Sequence, residues 1–349
     1  MTPGAPNGPL RVGVVGVGRM GRTHAELLAT RVPGAAVAAV ADADRQVAES
    51  VAAALGVPAM SSDELIASGD VDAVALCSST DTHVELIVKA CEAAKPVFCE
   101  KPISLDLAEV DRGLAAVESS GTFFMIGFNR RFDPAHQAVR DAVVRGEVGE
   151  PHLVRISSRD PAPPPLSYVK VSGGIFLDMT IHDFDMACFL TGSKVVEVYA
   201  QGAVRIEPKL VELGDVDTAI VTLVHENGCF TVIDNSRQSA YGFDQRVEVF
   251  GSLGVATADN PLAYTSTVRT ADGTRQPALP RFFLERYVPS YINEWRAFVD
   301  AVTTGGPSPL GAAEGRAPLV IGLAAGLSVK EHRPVAIAEI GAVKRASGR

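Results

Sequence analysis

Short apolar runs alternate with longer amphipathic segments along the first third of the chain. Strands in a parallel sheet are covered on both faces, so each run is apolar almost throughout. The longer segments carry the spacing of helices, and the alternation of the two is typical of βαβ units. The pattern predicts strands near residues 10–16, 36–41, 71–77, 96–100 and 122–127, and helices near 20–30, 44–55, 81–94 and 105–119.

A different pattern begins after about Phe128. Strands follow one another from Val195 to about Val268, separated by turn residues such as Gly228 and Gly254, which predicts a largely antiparallel sheet. The sequence also predicts a strand near 151–158, a proline-rich loop after it, and helices near 134–145, 174–191, 289–303 and 311–330.

Length and composition fit two domains. A chain of 349 residues is too long for one comfortable core, and 47% hydrophobic with 21% charged residues is the balance of a globular protein. We therefore expect an α/β protein whose first domain, residues 1–127, contains the parallel sheet. The second, residues 128–349, is expected to be an α+β domain with a large, mostly antiparallel open sheet, and its helix near 311–330 to pack back on the first domain.

The charge and the cysteines narrow the range of partners. The formal net charge of −9 and the absence of a basic cluster argue against nucleic acid and membrane surfaces. The segment before Pro9 lacks the features of a secretory signal, and the apolar stretch from Pro318 to Val329 is shorter than the about 20 residues of a membrane span. Five cysteines without a CxxC pair predict reduced thiols and no metal site. Together these features predict a cytoplasmic protein.

A glycine motif follows the first predicted strand and opens the first predicted helix. Gly16 allows a tight turn, Gly18 lets the backbone approach a pyrophosphate, and Gly21 lets helix and strand pack closely. The free N–H groups at the helix start favour a phosphate. The motif in this context predicts a Rossmann dinucleotide-binding domain, with Arg19 and Met20 in the same turn at the cofactor.

The cofactor is expected to be NAD. Asp42 ends the second strand, where a carboxylate accepts hydrogen bonds from the adenosine ribose and repels the 2′-phosphate of NADP. Arg45 lies close by in the sequence and weakens this preference. The alternative interpretation of Asp42 is a helix cap or a solvated turn residue.

Three side chains suggest alcohol oxidation. Lys101 follows the fourth strand, at the edge where a parallel sheet meets its ligand, and its charge can stabilise an alkoxide. Asp178 and His182 are four residues apart on one predicted helix and are expected to share a face. There the carboxylate would orient the imidazole as a general base. The alternative is a surface ion pair without a role in chemistry.

These motifs resemble those of the Gfo/Idh/MocA oxidoreductase family, from the glycine turn to Arg333-Pro334-Val335. The family's Glu-Lys-Pro motif matches Glu100-Lys101-Pro102, and its Asp-x-x-x-His pair matches Asp178 and His182. Four segments look most like bacterial inositol dehydrogenases, namely Gly127–Asp133, Ser158–Pro161, Gly173–Asp185 and Tyr241–Asp244.

The resemblance implies an activity and a set of site residues. It implies NAD-dependent oxidation of a cyclitol, with myo-inositol giving 2-keto-myo-inositol (scyllo-inosose) in inositol catabolism, by a homotetramer joined through the open sheet at strands near 195–235. It places Glu100 and Lys101 at the cofactor. It places the substrate hydroxyls beside Lys101, Asn129, Arg130, Asp160, Asp178, His182 and Tyr241.

Two departures bear on the choice of substrate. Ser158 stands where some inositol dehydrogenases have histidine, and Asn129 where some have methionine. A dehydrogenase of another polyol, a pyranose or an aminocyclitol therefore stays open, as do an NAD-using glycosidase and a non-catalytic NAD-binding regulator. Retention of Lys101, Asp178 and His182 disfavours the regulator, because a binding module needs no general base.

Overall fold

The computed structural model describes residues 8–346. The first seven and the last three residues lie outside it, and with them most of the N-terminal segment before Pro9. The described chain forms two units. The first comprises the chain as far as Asn129 together with Ser290–Ala317, and the second comprises Arg130–Pro289 together with the chain from Pro318 onward.

The first unit is built on a five-stranded parallel sheet with the order β2-β1-β3-β4-β5. All residues of β3 are buried, as are those of β4 except its last, Glu100, so the apolar runs of the sequence are the sheet interior. The parallel α/β domain is confirmed. Its strands are β1 (Leu10–Val15), β2 (Ala35–Ala41), β3 (Ala73–Leu76), β4 (Val97–Glu100) and β5 (Phe124–Gly127).

Helices connect these strands. Asp44 caps α2 and Asp106 caps α5 by accepting two backbone N–H groups each, which fixes where both helices begin. A short helix that the sequence analysis missed, α3, starts at a capping box of Ser61 and Glu64 and is too short for apolar periodicity to reveal. The helices are α1 (Arg19–Thr30), α2 (Arg45–Leu55), α3 (Ser62–Ala67), α4 (His83–Glu92) and α5 (Leu107–Ser120).

The second unit opens with helices around one strand. Where one helix was predicted near 174–191, the structure has two, because the chain leaves the regular helix at Met179 and Thr180. A further helix follows Pro165, between the predicted proline-rich loop and the predicted helix, where the sequence analysis assigned no element. The elements are α6 (Pro134–Val144), β6 (Pro151–Arg159), α7 (Leu166–Ser172), α8 (Gly174–Asp178) and α9 (Ile181–Thr191).

A seven-stranded sheet forms the body of the second unit, in the order β11-β10-β6-β9-β8-β7-β14. It is antiparallel except for the pair β6–β9, so the predicted mostly antiparallel sheet is confirmed. A separate hairpin joins β12 to β13. The strands are β7 (Val195–Ala203), β8 (Thr218–His225), β9 (Phe230–Ser236), β10 (Asp244–Gly251), β11 (Val255–Ala258), β12 (Val268–Thr270), β13 (Gly273–Arg275) and β14 (Val335–Ala336).

Three helices close the chain: α10 (Phe283–Thr304), α11 (Ala312–Glu331) and α12 (Ile337–Ala346). The domain division differs here from the expected split at 127/128, because Ser290–Ala317 belongs to the first unit. The reason is aromatic packing, since Trp295 and Phe298 lie against Phe98 of β4 with ring centroids 4.3 and 5.9 Å away.

The helix expected to pack back on the first domain is therefore divided. α11 contributes only its residues up to Ala317 to the first unit. Its later part belongs to the second unit, where the Ser328 hydroxyl accepts a 2.9 Å hydrogen bond from the backbone N–H of Ala200 on β7.

Within the described chain, α11 is the one helix whose length and apolar composition would suffice to cross a membrane. Half of its most apolar window is buried inside the protein, and Leu319, Ile321 and Ala324 lie in the interior. A core helix passes the same criteria, so length and composition are weak evidence of a membrane span. The buried part of α11 belongs to the protein core.

Candidate functional site

The three glycines of the turn after β1 have different surroundings. Gly16 has φ +83°, and a Cβ added there would lie 2.3 Å from Cα of Ser78. A Cβ at Gly21 would lie 1.7 Å from the carbonyl oxygen of Gly16. Gly18 is exposed, has no atom within reach of an added Cβ, and starts α1 without a side-chain cap. Two crowded glycines and one open glycine at a helix start fit the cradle of a dinucleotide phosphate.

Arg19 and Met20 form the first turn of α1 beside this cradle. Arg19 is exposed and Met20 is half-buried. Their position places both next to Gly18, at the helix end that favours an anion.

Asp42 holds the glycine turn to the end of β2. Its Oδ2 accepts a 2.8 Å hydrogen bond from the N–H of Val17, and its Oδ1 accepts one of 2.9 Å from the N–H of Asp44. The helix cap considered for Asp42 belongs instead to Asp44. Because each carboxylate oxygen can accept more than one hydrogen bond, Asp42 keeps capacity for ribose hydroxyls. Arg45 is paired with Glu49 at 2.8 Å.

Glu100 and Lys101 end β4. One oxygen of Glu100 lies 2.7 Å from Nε2 of His24, and the other accepts a 3.1 Å hydrogen bond from the backbone N–H of Lys101. Burial on its own raises the pKa of Glu100, but the hydrogen bond from His24 and the charges nearby, that of Lys101 among them, outweigh it and hold that pKa below its ordinary value. Glu100 is thus an ionised group that fixes the backbone at Lys101.

His83, which the sequence analysis missed, joins the loops that follow β3 and β4. Its Nδ1 lies 3.0 Å from the carbonyl oxygen of Pro102, and its Nε2 lies 3.0 Å from that of Ser78. Burial lowers the pKa of His83. The residue therefore links the segment after Lys101 to the loop that packs on Gly16.

Asp178 and His182 do not lie on one continuous helix, and that prediction is wrong. Asp178 ends α8, whereas His182 lies in the first turn of α9. Between them the N–H of Thr180 bonds to the carbonyl of Ile175, five residues back, and its hydroxyl donates to Oδ1 of Asn235 at 2.6 Å. This tie to β9 draws the chain off the helical path, which spacing along the sequence cannot reveal.

The carboxylate of Asp178 has two partners that the sequence analysis did not identify. The hydroxyl of Tyr168 on α7 donates to Oδ1 at 2.8 Å, and Nη1 of Arg237 donates to Oδ2 at 3.3 Å. His182 is half-buried, and its backbone N–H donates to the carbonyl of Met179. Asp178 is therefore a fixed negative charge held from two sides.

Arg237 organises this part of the second unit. It is almost completely buried just after β9, and it pairs with Asp178 and, at 3.6 Å, with Asp215. Asp215 in turn accepts a 2.9 Å hydrogen bond from the N–H of Ile175 on α8. In the sequence, Arg237 is recognisable only as a charged residue at the end of a strand with alternating apolar and polar positions.

Arg130 lies within a buried polar network. Its Nη1 donates to Oδ1 of Asp183 at 2.6 Å and to the hydroxyl of Ser158 at 3.1 Å, while Asn235 donates to the other oxygen of Asp183 at 2.8 Å. Burial raises the pKa of Asp183 although Arg130 opposes the shift. Ser158 is buried within this network, and its hydroxyl also donates to Oδ1 of Asp183 at 2.6 Å.

Asp160 follows β6 in the same region. Burial raises its pKa to about 6; the charges of Arg130 and Arg237 oppose the shift, and Asp178 and Asp183 add to it. Its backbone N–H donates to the carbonyl of Ser236. In the described part of the chain its carboxylate makes no hydrogen bond, so it can accept one from a ligand hydroxyl.

Tyr241 lies beside Arg159, the residue before Asp160. Tyr241 is half-exposed, and its hydroxyl accepts from Nη1 of Arg159 at 2.8 Å and donates to Oδ2 of Asp244 at 2.6 Å. These contacts do not bring it to Asp160. Asn129 is buried at the end of the first unit. Within residues 8–346 no group of three His, Cys, Asp or Glu side chains is placed to hold a metal ion.

The first unit, with its parallel sheet, open Gly18 and carboxylate at the end of β2, defines a dinucleotide-dependent oxidoreductase. A model of the oxidoreductase family with an NAD-binding Rossmann fold matches residues 10–128, and the GFO/IDH/MocA C-terminal domain matches residues 136–257. The chain belongs to the GFO/IDH/MocA oxidoreductase family, and its cofactor is NAD.

Relatives match along almost the whole chain. The myo-inositol 2-dehydrogenase of Thermotoga maritima is 46% identical over 95% of this chain and 99% of its own length. The inositol 2-dehydrogenase of Rhizobium meliloti is 44% identical over 94% of this chain and 99% of its own.

Solved structures agree in fold. The myo-inositol dehydrogenase of Corynebacterium glutamicum has a TM-score of 0.90 and 38% identity, covering 94% of this chain and 98% of its own. The scyllo-inositol dehydrogenase of Lactobacillus casei, crystallised with NAD(H) and scyllo-inositol, has a TM-score of 0.88 and 29% identity, covering 95% of this chain and 99% of its own.

Proposed function

We propose that this protein oxidises one secondary hydroxyl of a cyclitol with NAD, converting myo-inositol to 2-keto-myo-inositol. The observation that carries the proposal is the 46% identity, over nearly the full length of both chains, to a protein named myo-inositol 2-dehydrogenase. The second unit supports it chemically, because the half-buried Asp160 has acceptor capacity for a ring hydroxyl.

The residues of the chain divide the reaction between them. NAD, when bound, supplies the hydride acceptor. His182 takes the proton of the reacting hydroxyl as general base, and the ammonium group of Lys101 stabilises the alkoxide that develops. Asp178, held by Tyr168 and Arg237, favours the protonated imidazole through its fixed charge.

Binding roles follow the same division. We assign the cofactor to Gly16, Gly18, Gly21 and their neighbours Arg19 and Met20, to Asp42 at the ribose, and to Glu100 with Lys101. We assign the other ring hydroxyls to Asp160, Arg130 and Asn129. Tyr241 is the weakest member of this set, because its hydroxyl is already shared by Arg159 and Asp244.

We also propose a homotetramer joined through the open face of the seven-stranded sheet. Large apolar side chains are exposed on neighbouring strands of that face, among them Val196, Ile220, Phe230 and Phe250. A contiguous apolar patch on a sheet is typical of an interface. A cytoplasmic location and a part in inositol catabolism complete the proposal, and the unpaired cysteines of the described chain suit a reducing compartment.

A panel of cyclitols, pyranoses and aminocyclitols, offered with NAD and with NADP and followed by NADH or NADPH absorbance, tests the proposal. We expect turnover of myo-inositol, with kcat/KM favouring NAD over NADP by at least about tenfold. Activity on a pyranose alone would replace the cyclitol. Glycoside cleavage without net NADH would indicate the glycosidase, and NAD binding without any turnover would indicate the regulator.

A further inference from the structure

His24 is a completely buried histidine on α1, one turn after Gly21, to which the proposed chemistry gives no role. Aromatic rings enclose it. The ring centroids of Phe98, Tyr291 and Trp295 lie 5.4, 5.4 and 5.6 Å from that of His24, each in an edge-on orientation. An imidazole in such surroundings must satisfy both nitrogens with protein partners.

The two partners of His24 fix its protonation. The indole N–H of Trp295 can only donate, and it donates to Nδ1 at 2.9 Å, so Nδ1 carries no proton. The proton of the neutral ring is then on Nε2, which donates to Oε1 of Glu100 at 2.7 Å. If Nδ1 also carried a proton, its N–H would face the indole N–H of Trp295, and neither donor would have an acceptor there.

Glu100 connects the imidazole of His24 to the backbone of Lys101. Its second oxygen accepts the backbone N–H of Lys101 at 3.1 Å, so the carboxylate is held at both ends. The hydrogen bond from His24 also helps to keep the pKa of Glu100 below its ordinary value in spite of burial. An ionised, immobile carboxylate therefore stands at the first atom of the lysine.

We propose that Trp295 and His24 form a hydrogen-bonded relay that positions Glu100 and, through it, Lys101. Both are positioning residues, since neither is assigned to substrate or cofactor. The segment Ser290–Ala317, which belongs to the first unit, contains Trp295. The relay is therefore one function of that segment. The step from the position of Lys101 to catalysis rests on the proposed function, in which Lys101 stabilises the alkoxide.

Other titratable groups lie near the relay. Glu100 on β4 is ionised, and Tyr291 on α10 contacts the imidazole with its ring. Burial raises the pKa of the thiols of Cys77 and Cys99 well above the ordinary value, so both stay neutral. Glu294 lies in the same interior region, close enough to Cys77 to influence that thiol.

The tautomer of His24 is the first test and needs no turnover. Protein labelled with [15N]histidine is examined by NMR around neutral pH, and the His24 signals are assigned by their loss in His24→Gln. We expect one neutral ring with its proton on Nε2, with and without NAD. A protonated ring or a proton on Nδ1 would overturn the relay, whatever the substrate of the enzyme proves to be.

Three variants then test the function of the relay. Trp295→Phe removes the N–H but keeps a ring, His24→Leu removes both hydrogen bonds, and His24→Gln retains one acceptor and one donor. We expect the first two to lower kcat by about 10- to 100-fold and His24→Gln to stay within about fivefold of wild type. Substrate KM should change less than kcat in all three, because Asp160, Arg130 and Asn129, which are assigned to the other ring hydroxyls, are not part of the relay.

Phe298→Leu is the control for packing, because Phe298 lies on the same Phe98 ring without a polar atom. It should lower Tm and leave kcat unchanged. If Trp295→Phe keeps wild-type kcat, or if His24→Gln is as impaired as His24→Leu at equal Tm, the relay has no role. Absence of cyclitol oxidation in the wild type, with the expected tautomer, would instead reject the proposed substrate alone.

Discussion

Asp160 combines a half-buried position with a carboxylate that makes no hydrogen bond within the described chain. Its pKa of about 6 means that the folded state holds the proton more tightly than the unfolded chain does. Ionised Asp160 therefore costs stability as the pH rises from the ordinary Asp value through about 6. Accepting hydrogen bonds from substrate hydroxyls offsets that cost, since they favour the charged form.

Substitution of Asp160 should separate these two effects. Asp160→Asn should raise the free energy of unfolding above about pH 6 and change it little well below the ordinary Asp pKa, measured by urea denaturation across pH. Asp160→Ala should raise KM for the cyclitol by about tenfold or more. Asp272→Asn, on the exposed turn between β12 and β13, is the control and should do neither. An Asp160→Ala enzyme with wild-type KM would remove the residue from the substrate site.

His182 carries the proton transfer in the proposed mechanism. His182→Ala should lower kcat by about 10²–10⁴-fold with NAD affinity nearly unchanged, because the imidazole acts on the alcohol. Asp178→Asn should give a smaller loss, since it keeps the shape and weakens only the bias towards protonated imidazole. Lys101→Met should lower kcat while a titrating base remains. Steady-state kinetics against pH and NAD titration by fluorescence measure all three, and wild-type turnover in His182→Ala would exclude it as the base.

At the scale of elements, Arg237 is the side chain that joins α8 to the end of β9. It neutralises Asp178 and Asp215, both of which lie largely out of solvent. Arg237→Met should lower the free energy of unfolding by about 3–5 kcal/mol, because two buried carboxylates lose their cation. It should also reduce kcat by freeing Asp178.

The matched control for Arg237 is Arg145→Met. Arg145 pairs with Glu147 at 2.7 Å in the exposed turn after α6, away from the sheet, and its loss should cost no more than about 1 kcal/mol. Equal unfolding free energies for the two variants in urea would show that the buried pairs of Arg237 do not hold α8.

The sequence predicted those elements whose pattern is local. The five strands of the first sheet are visible because each is apolar almost throughout, and the glycine turn is visible because its spacing is rigid. The break between α8 and α9 is not visible, since it depends on the bond between Thr180 and Asn235, 55 residues apart. The partners of Asp178, the loop contacts of His83 and the bond of His24 to Trp295, 271 residues away, are equally tertiary.

At the scale of the whole molecule, the open sheet face is the feature that predicts assembly. Ile220 is 56% exposed at the middle of β8, where a solitary chain gains nothing from an isoleucine. Ile220→Lys should reduce the tetramer to smaller species in light scattering after size exclusion, because a charge on an apolar interface is costly. Val144→Lys, equally apolar and exposed but on α6, should leave the mass unchanged. A tetramer that persists in Ile220→Lys would place the interface elsewhere.

The whole chain is proposed to move one hydride from a cyclitol carbon to NAD, with binding of NAD in the first unit and proton transfer in the second. The most direct measurement uses myo-inositol deuterated at carbon 2, with mass spectrometry of the reduced cofactor. We expect one deuterium in the NADH formed, 2-keto-myo-inositol as the product in equal amount, and label transfer by His182→Ala slowed by about 10²–10⁴-fold. Turnover that yields unlabelled NADH, or no reduction of NAD by any cyclitol, would contradict the proposed function.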